Sequence, residues 1–292
     1  MSALRSFLFV PADSEKKIAR GLESGADALI LDLEDAVAEA AKPAARALAA
    51  ALLKGRAQPR APELWVRINP LTGPHALGDL AAVVAAAPDG IVIPKPDSAA
   101  DLVRLDHYLS ALEAAAGLAR GGIRVMPVAT ETPASVFGLG TYAGAPRLAA
   151  MTWGAEDLPA AIGAAGGRWD DGSFTDLCRL VRSLCLAAAA AAEVPAIETV
   201  YPAFRDEAGL AAYAARGRRE GFTGMMAIHP AQVPLINAAF TPSEAEIAEA
   251  RRIVALFEAH PGAGTLALDG RMLALPHLKA ARKTLAAAGA RG

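Results

Sequence analysis

The sequence predicts a (β/α)8 TIM barrel, an α/β fold, carrying a C-terminal helical extension. Three observations predict it. Eight short apolar runs alternate with longer helix-like segments, the pattern of parallel β-α-β units. The 292 residues suit one such barrel plus an added segment. With 53% hydrophobic residues, the chain can bury a large core.

The eight runs are Ser6–Pro11, Ala28–Leu33, Leu64–Asn69, Gly90–Lys95, Arg124–Thr130, Leu148–Trp153, Ala196–Tyr201 and Gly224–His229. Asp13, Ser98 and Asp206 stand where helices should begin and have the short polar side chains that cap a helix N-terminus. Pro43, Pro133 and Pro230 lie near helix entrances, where a missing N–H is harmless. The alanine stretches Ala81–Ala87 and Ala187–Ala192 read as closely packed helix faces. Gly138, Gly140 and Gly144 have the wrong spacing for a dinucleotide fingerprint and follow the fifth run, so they read as a loop. The barrel should occupy residues 1–240. In 241–292, Ser243 and Glu246 have capping-box spacing at the head of a helix to about Glu258. A hairpin-like Gly262–Arg271 and a last helix Pro276–Ala288 follow. This tail cannot form a ninth unit and reads as a lid or a subunit-interface arm.

Composition excludes some functions. The net charge of −2, from 29 basic and 31 acidic residues, lacks the basic footprint of a nucleic-acid surface, although a few local cations could still serve one coenzyme A. The long uncharged segment Phe222–Ser243 contains Pro230, Pro234 and Pro242 and is unsuited to crossing a membrane. Charges at Arg5, Asp13, Glu15 and Lys16 interrupt any apolar leader. Cys178 and Cys185 lie seven residues apart in one helical segment, about 10 Å along its axis, too far to bridge. A cytoplasmic location is the expectation.

Barrel active sites gather at the C-terminal ends of the strands. Taken in turn, those ends present Asp32, Glu34 and Asp35; Arg67 and Asn69; Lys95; Glu131; Glu156 and Asp157; Tyr201; and His229. So many carboxylates with two cations invite a divalent ion, and without a Cys/His cluster the hard Mg2+ suits them better than Zn2+. Each residue also has a plainer role. Glu131 and Asp157 could cap the helices that follow them. Arg67 could be an ion-pair partner of the Asp32–Asp35 loop. Lys95 is better read as a charged salt-bridge lysine than as a Schiff base, and His229 as a hydrogen-bonded histidine.

The blocks Leu31-Asp32-Leu33-Glu34-Asp35-Ala36-Val37, Val66-Arg67-Ile68-Asn69, Ile93-Pro94-Lys95, Glu131-Thr132, Gly154-Ala155-Glu156-Asp157-Leu158, Ala227-Ile228-His229-Pro230-Ala231-Gln232 and Leu268-Asp269-Gly270-Arg271-Met272 occur together. With Arg5-Ser6-Phe7-Leu8-Phe9-Val10-Pro11 they make the chain resemble, over nearly its whole length, the HpcH/HpaI aldolase and citrate lyase superfamily, in its citrate lyase β-subunit-like branch. The resemblance implies that Glu131 and Asp157 ligate Mg2+. It also implies that Arg67 grips a substrate carboxylate beside Glu131, and that Glu34 and Asp35 hold waters around the ion. It further implies a homotrimer or hexamer. Class II pyruvate aldolases of the superfamily carry a histidine where this chain has Asp35, which points towards acyl-CoA thioesters instead.

One departure stands out. Relatives acting on malyl- or citramalyl-CoA read Gly-Arg-Met-Ile-Asp in the tail, where the aspartate is an acid/base reaching a neighbouring subunit's site. Here the run is Gly270-Arg271-Met272-Leu273-Ala274, and Ala274 cannot move a proton. The expected activity is Mg2+-dependent carbon–carbon cleavage, of the retro-Claisen type, of a small hydroxy or oxo acid or its acyl-CoA thioester. The alternatives are a metal-binding regulatory protein without turnover and a 2-oxo acid aldolase.

Overall fold

A computed structural model describes residues 4–56 and 62–289. Its strands are β1 (Ser6–Pro11), β2 (Ala28–Asp32), β3 (Glu63–Arg67), β4 (Gly90–Ile93), β5 (Arg124–Pro127), β6 (Met151–Thr152), β7 (Ala196–Glu198) and β8 (Gly224–Ala227). All pair in parallel in the order β5-β4-β3-β2-β1-β8-β7-β6. The two ends meet through parallel bridges, Val125 with Leu148 and Val128 with Thr152. Backbone hydrogen bonds from Ala149 N to Val125 O (2.9 Å) and from Ala129 N to Thr152 O (2.8 Å) join the same seam. The fold is a (β/α)8 barrel.

Alternation along each strand separates two apolar sets. Phe7, Ile30, Trp65, Val92, Met126, Ile197 and Met226 fill the barrel interior. Their neighbours Leu8, Leu29, Leu31, Val66, Ile91, Ile93 and Val125 pack outward against helix residues such as Leu53, Leu105 and Val181. Trp65 meets Phe7 edge-on, with ring centroids 5.9 Å apart. The indole also fills the space over Gly90, where a Cβ would come within 2.3 Å of it, so β4 must begin with glycine.

Around the barrel run α1 (Glu15–Leu22), α2 (Lys42–Gly55), α3 (Ala76–Val83), α4 (Ala99–Ala115), α5 (Pro133–Gly138), α6 (Asp157–Ala161), α7 (Asp176–Ala191), α8 (Glu207–Glu220) and α9 (Val233–Ala239). Ser98 and Asp206 cap α4 and α8 as their sequence positions predict. Asp13 does not cap α1. The helix starts at Glu15, so Ser14 is the residue that is extended at the boundary, and its side chain accepts from Lys17 N. Gly138 closes α5 and Gly140 lies in a 3-10 turn, so only part of that glycine cluster is loop.

Several predicted strands end early. Beyond them, side chains take over the ladder's hydrogen bonds. Asp79 accepts from Asn69 N (2.8 Å), Glu131 from Lys95 N (2.7 Å), and Gly154 N donates to Thr130 Oγ1 (3.1 Å). These exchanges shape the rim that carries the polar residues. The tail comprises α10 (Glu244–Ala259), a hairpin of β9 (Thr265–Leu268) and β10 (Arg271–Ala274), and α11 (Leu275–Gly289). Asp269 and Gly270 form its two-residue turn with φ of 50° and 75°, the pair of positive values that a tight hairpin needs. Both cysteines are free and buried in α7. Among the described residues, no helix is long and apolar enough to cross a membrane.

Candidate active site

Asp32 ends β2 and is the register partner of Arg67 at the end of β3, so parallel pairing itself brings them together. Arg67 donates Nε (2.8 Å) and Nη2 (2.6 Å) to the two Asp32 oxygens, a two-pronged pair. Its Nη1 lies 2.9 Å from Glu34 Oε2, and its guanidinium stacks 4.7 Å above the Phe9 ring. Burial works against the Arg67 charge, but the hydrogen bonds and charges of Asp32 and Glu34 outweigh it and hold its pKa above the ordinary value. The Arg67 fork is therefore turned onto Asp32, and what remains for an incoming carboxylate is the outer N–H of Nη1 and Nη2.

Lys95 gathers the carboxylates. Its Nζ lies 2.5 Å from Glu34 Oε1, 3.2 Å from Asp157 Oδ1 and 3.6 Å from Asp35 Oδ2. Side-chain exposure rises steadily outward: 1% at Asp32, 4% at Glu34, 13% at Arg67, 26% at Lys95, 33% at Asp157 and 61% at Asp35. The group thus forms a wall from barrel core to solvent. Burial opposes the Lys95 charge, yet the Glu34 hydrogen bond and the Glu131, Glu34 and Asp157 charges hold the ammonium above its ordinary range. Lys95 is a charged salt-bridge lysine, as the sequence suggests.

Glu131 points inward and does not cap a helix. Thr132 is the residue whose side chain caps α5, accepting from Ser135 N. Burial pushes the Glu131 carboxyl up to about 8; the Lys95 charge and the Lys95 N–H oppose the rise, while the Asp157 and Glu34 charges add to it. Gly154 leaves the adjacent space open, since a Cβ there would lie 3.0 Å from Glu131 Cγ. Asp157 opens the short α6, where Glu156 occupies the cap position without a side-chain bond. Burial also raises the Glu34 carboxyl, although Arg67 and Lys95 pull it back. No cage of three or more His, Cys, Asp or Glu residues is formed among the described residues.

Other rim residues serve the scaffold. Asn69 donates to Leu33 O (2.9 Å) and Asp79 Oδ2 (2.7 Å). Sequence reading missed Lys42, whose buried Nζ donates to Leu33 O, Glu34 O and Asn69 Oδ1 at 2.8–3.0 Å and so pins the loop carrying Glu34. Phe9 and Asp79 were missed as well. Tyr201 Oη donates to Asp206 (2.7 Å). His229 Nδ1 accepts from Ala231 N, and its ring stacks on Phe204 at 5.0 Å. Among the described residues, no hydrogen bond or ion pair joins Glu156, Tyr201 or His229 to Arg67 or Lys95. In the tail, Asp269 is paired with Arg252 at 2.6 Å, and Ala274 N donates to His277 Nδ1 at 3.0 Å.

Residues 5–230 match the model of the HpcH/HpaI aldolase/citrate lyase family. The chain belongs to that family. A (3S)-malyl-CoA thioesterase of Cereibacter sphaeroides is 37% identical over 290 residues, covering 98% of this chain and 95% of that one. A citrate lyase subunit β-like protein of Mycobacterium tuberculosis is 35% identical over 286 residues, covering 97% and 95%. A crystal structure of CitE from M. tuberculosis with magnesium, acetoacetate and coenzyme A superposes with a TM-score of 0.78 at 33% identity and 98% coverage of both chains. Another, of the M. tuberculosis citrate lyase β subunit with oxaloacetate and magnesium, gives 0.69 at 34% identity, covering 82% of this chain and 98% of that one. Within the family, the chain falls in the citrate lyase β-subunit-like branch.

Proposed function

We propose that this family member is a Mg2+-dependent carbon–carbon lyase acting on a small hydroxy or oxo acid or its acyl-CoA thioester. One observation carries the reading. Burial pushes the Glu131 carboxyl up to about 8, and around it the rim sets Asp32, Glu34, Asp35 and Asp157 against the two cations Arg67 and Lys95, so a divalent cation would favour the ionised Glu131 and offset the surplus of carboxylates. The donor set fits Mg2+, which needs only one or two protein carboxylates and keeps waters or substrate oxygens for its other positions. Glu131 and Asp157 would hold it, with room left by Gly154. Relatives described with magnesium together with oxaloacetate, or with acetoacetate and coenzyme A, support the same reading.

When bound, the ion supplies Lewis-acid stabilisation of charge developing on substrate oxygens. The chain's own residues do the rest. Arg67, fixed by Asp32, offers its outer N–H groups to the acid's carboxylate. In a 3-hydroxyacyl thioester, the bond between the hydroxyl-bearing carbon and the thioester α-carbon breaks. The former becomes the carbonyl of an oxo acid and its hydroxyl proton departs. Asp35, the most exposed carboxylate of the group, takes up that proton through solvent, while Glu34 keeps Arg67 and Lys95 in place. The electron pair passes to the thioester as an enolate, which must regain a proton to become the shorter acyl-CoA. Ala274 cannot provide it. We assign residues 241–292 to an interface arm of a homotrimer or hexamer, a role supported by the exposed Met272 and Leu275.

A second reading, hydrolysis of the thioester at the same site, is favoured by the 37%-identical relative named a thioesterase and by the missing acid at Ala274. Product analysis on a panel of thioesters, including malyl- and citramalyl-CoA, separates the two. A lyase releases an oxo acid and a shorter acyl-CoA only when Mg2+ is present. A thioesterase releases free coenzyme A thiol and the intact hydroxy acid. Turnover of none of the panel removes both readings and leaves a regulatory metal-binding protein.

A further inference from the structure

We propose that the Lys95 ammonium is a built-in counter-cation that occupies the charge position of the divalent ion, so that Lys95 and Mg2+ compete for Asp157 and its acidic neighbours. The inference rests on the reading that Glu131 and Asp157 hold Mg2+. Among the described residues, Lys95 is the one cation within ion-pairing distance of Asp157 or Asp35. Arg67 cannot take its place, because its fork is committed to Asp32 and its Nη1 to Glu34. Without an ion, Lys95 is what keeps the outer carboxylates from repelling one another. When an ion arrives at Asp157, the ammonium 3.2 Å away must yield.

The local backbone suits this double duty. Lys95 adopts φ of 51°, a left-handed conformation that is strained for a residue with a Cβ and that glycine or asparagine would take more readily. That conformation presents the peptide N–H to Glu131 Oε2 at 2.7 Å while the side chain reaches Glu34 and Asp157. The peptide of Lys95 therefore orients one carboxylate of the pair and its side chain neutralises the other. Replacing the side chain removes the charge and leaves the hydrogen bond from the Lys95 backbone N–H to Glu131 in place. The opposite role, an anchor that Glu34 needs before the ion can bind, makes the contrary prediction.

The test compares the full chain with Lys95→Met and Lys95→Arg, titrating Mg2+ by calorimetry and measuring thermal unfolding in chelator and in saturating Mg2+. One positive charge beside a divalent ion, in a water-like dielectric at several ångströms, alters affinity on the order of tenfold. Lys95→Met should therefore bind Mg2+ about tenfold more tightly, unfold at a lower temperature in chelator, and show a larger Mg2+-induced rise than the unmodified chain. Lys95→Arg, which keeps the charge, should stay near the unmodified values. Equal or weaker Mg2+ binding by Lys95→Met, while the unmodified chain binds, overturns the competition alone. Absence of Mg2+ binding in the unmodified chain and the variant alike overturns the magnesium reading on which it rests. If Lys95→Met loses its circular dichroism spectrum, Lys95→Gln carries the same comparison with a polar side chain of similar reach.

Discussion

Glu131 makes the metal-free protein sensitive to alkali. Burial pushes its carboxyl in the folded chain up to about 8, against an ordinary value of 4.5. The folded chain therefore holds a proton that the unfolded chain releases, and between those values stability falls as pH rises. Integrated over the window, the loss between pH 5 and pH 8 is roughly 3–4 kcal/mol. Because Glu131 is only 5% exposed, solvent does little to screen this effect. For a chain of this size the loss corresponds to a drop in Tm of roughly 5–15 °C. Glu131→Gln has no carboxyl to ionise, so its Tm in chelator should change much less over the same range. Saturating Mg2+ should restore the unmodified protein at pH 8 and leave the Gln variant where it was. The assay is differential scanning calorimetry at pH 5, 6, 7 and 8 in chelator and in Mg2+. Parallel pH profiles for the two proteins would refute the assignment of a raised, buried carboxyl to Glu131, and an equal Mg2+ response would remove it from the metal site.

Two further substitutions probe the substrate side and the tail. Arg67→Lys keeps the charge but loses the two bonds to Asp32, so oxo-acid binding should weaken by about 1–3 kcal/mol; an unchanged dissociation constant in calorimetry would remove Arg67 from the site. Ala274→Asp restores an acid where malyl-CoA-type relatives have one and should raise malyl- or citramalyl-CoA cleavage on the order of 10²–10⁴-fold. No gain, with strong native turnover of another thioester, would show that a different group returns the proton.

Most strand starts were readable because apolar runs mark them, and β1 matches its predicted span throughout, but β6 begins at Met151, three residues after its predicted start at Leu148, and β3 begins one residue early at Glu63. Strand ends were not, because the residues past β3, β4 and β6 keep an apolar or mixed pattern while their backbone groups turn to Asp79, Glu131 and Thr130. The acidic rim followed from the barrel topology, since each strand end must converge on the same mouth. The pairing of Asp32 with Arg67 follows from parallel register, which no local pattern in the sequence reveals. Lys42 escaped notice for a similar reason. It lies near the start of a helix, looks solvated, and becomes a loop anchor only when α2 packs beside Leu33 and Asn69. Asp13 was a fair N-cap candidate by residue type, but the helix begins one residue later than that choice requires.

That Glu131 and Asp157 share one divalent ion is tested most directly by anomalous diffraction from crystals grown with Mn2+ in place of Mg2+. The predicted result is a single strong anomalous peak within direct bonding distance, about 2.0–2.3 Å, of oxygens from both carboxylates. A peak held by other residues, or none at Glu131 and Asp157 at saturating Mn2+, would contradict it.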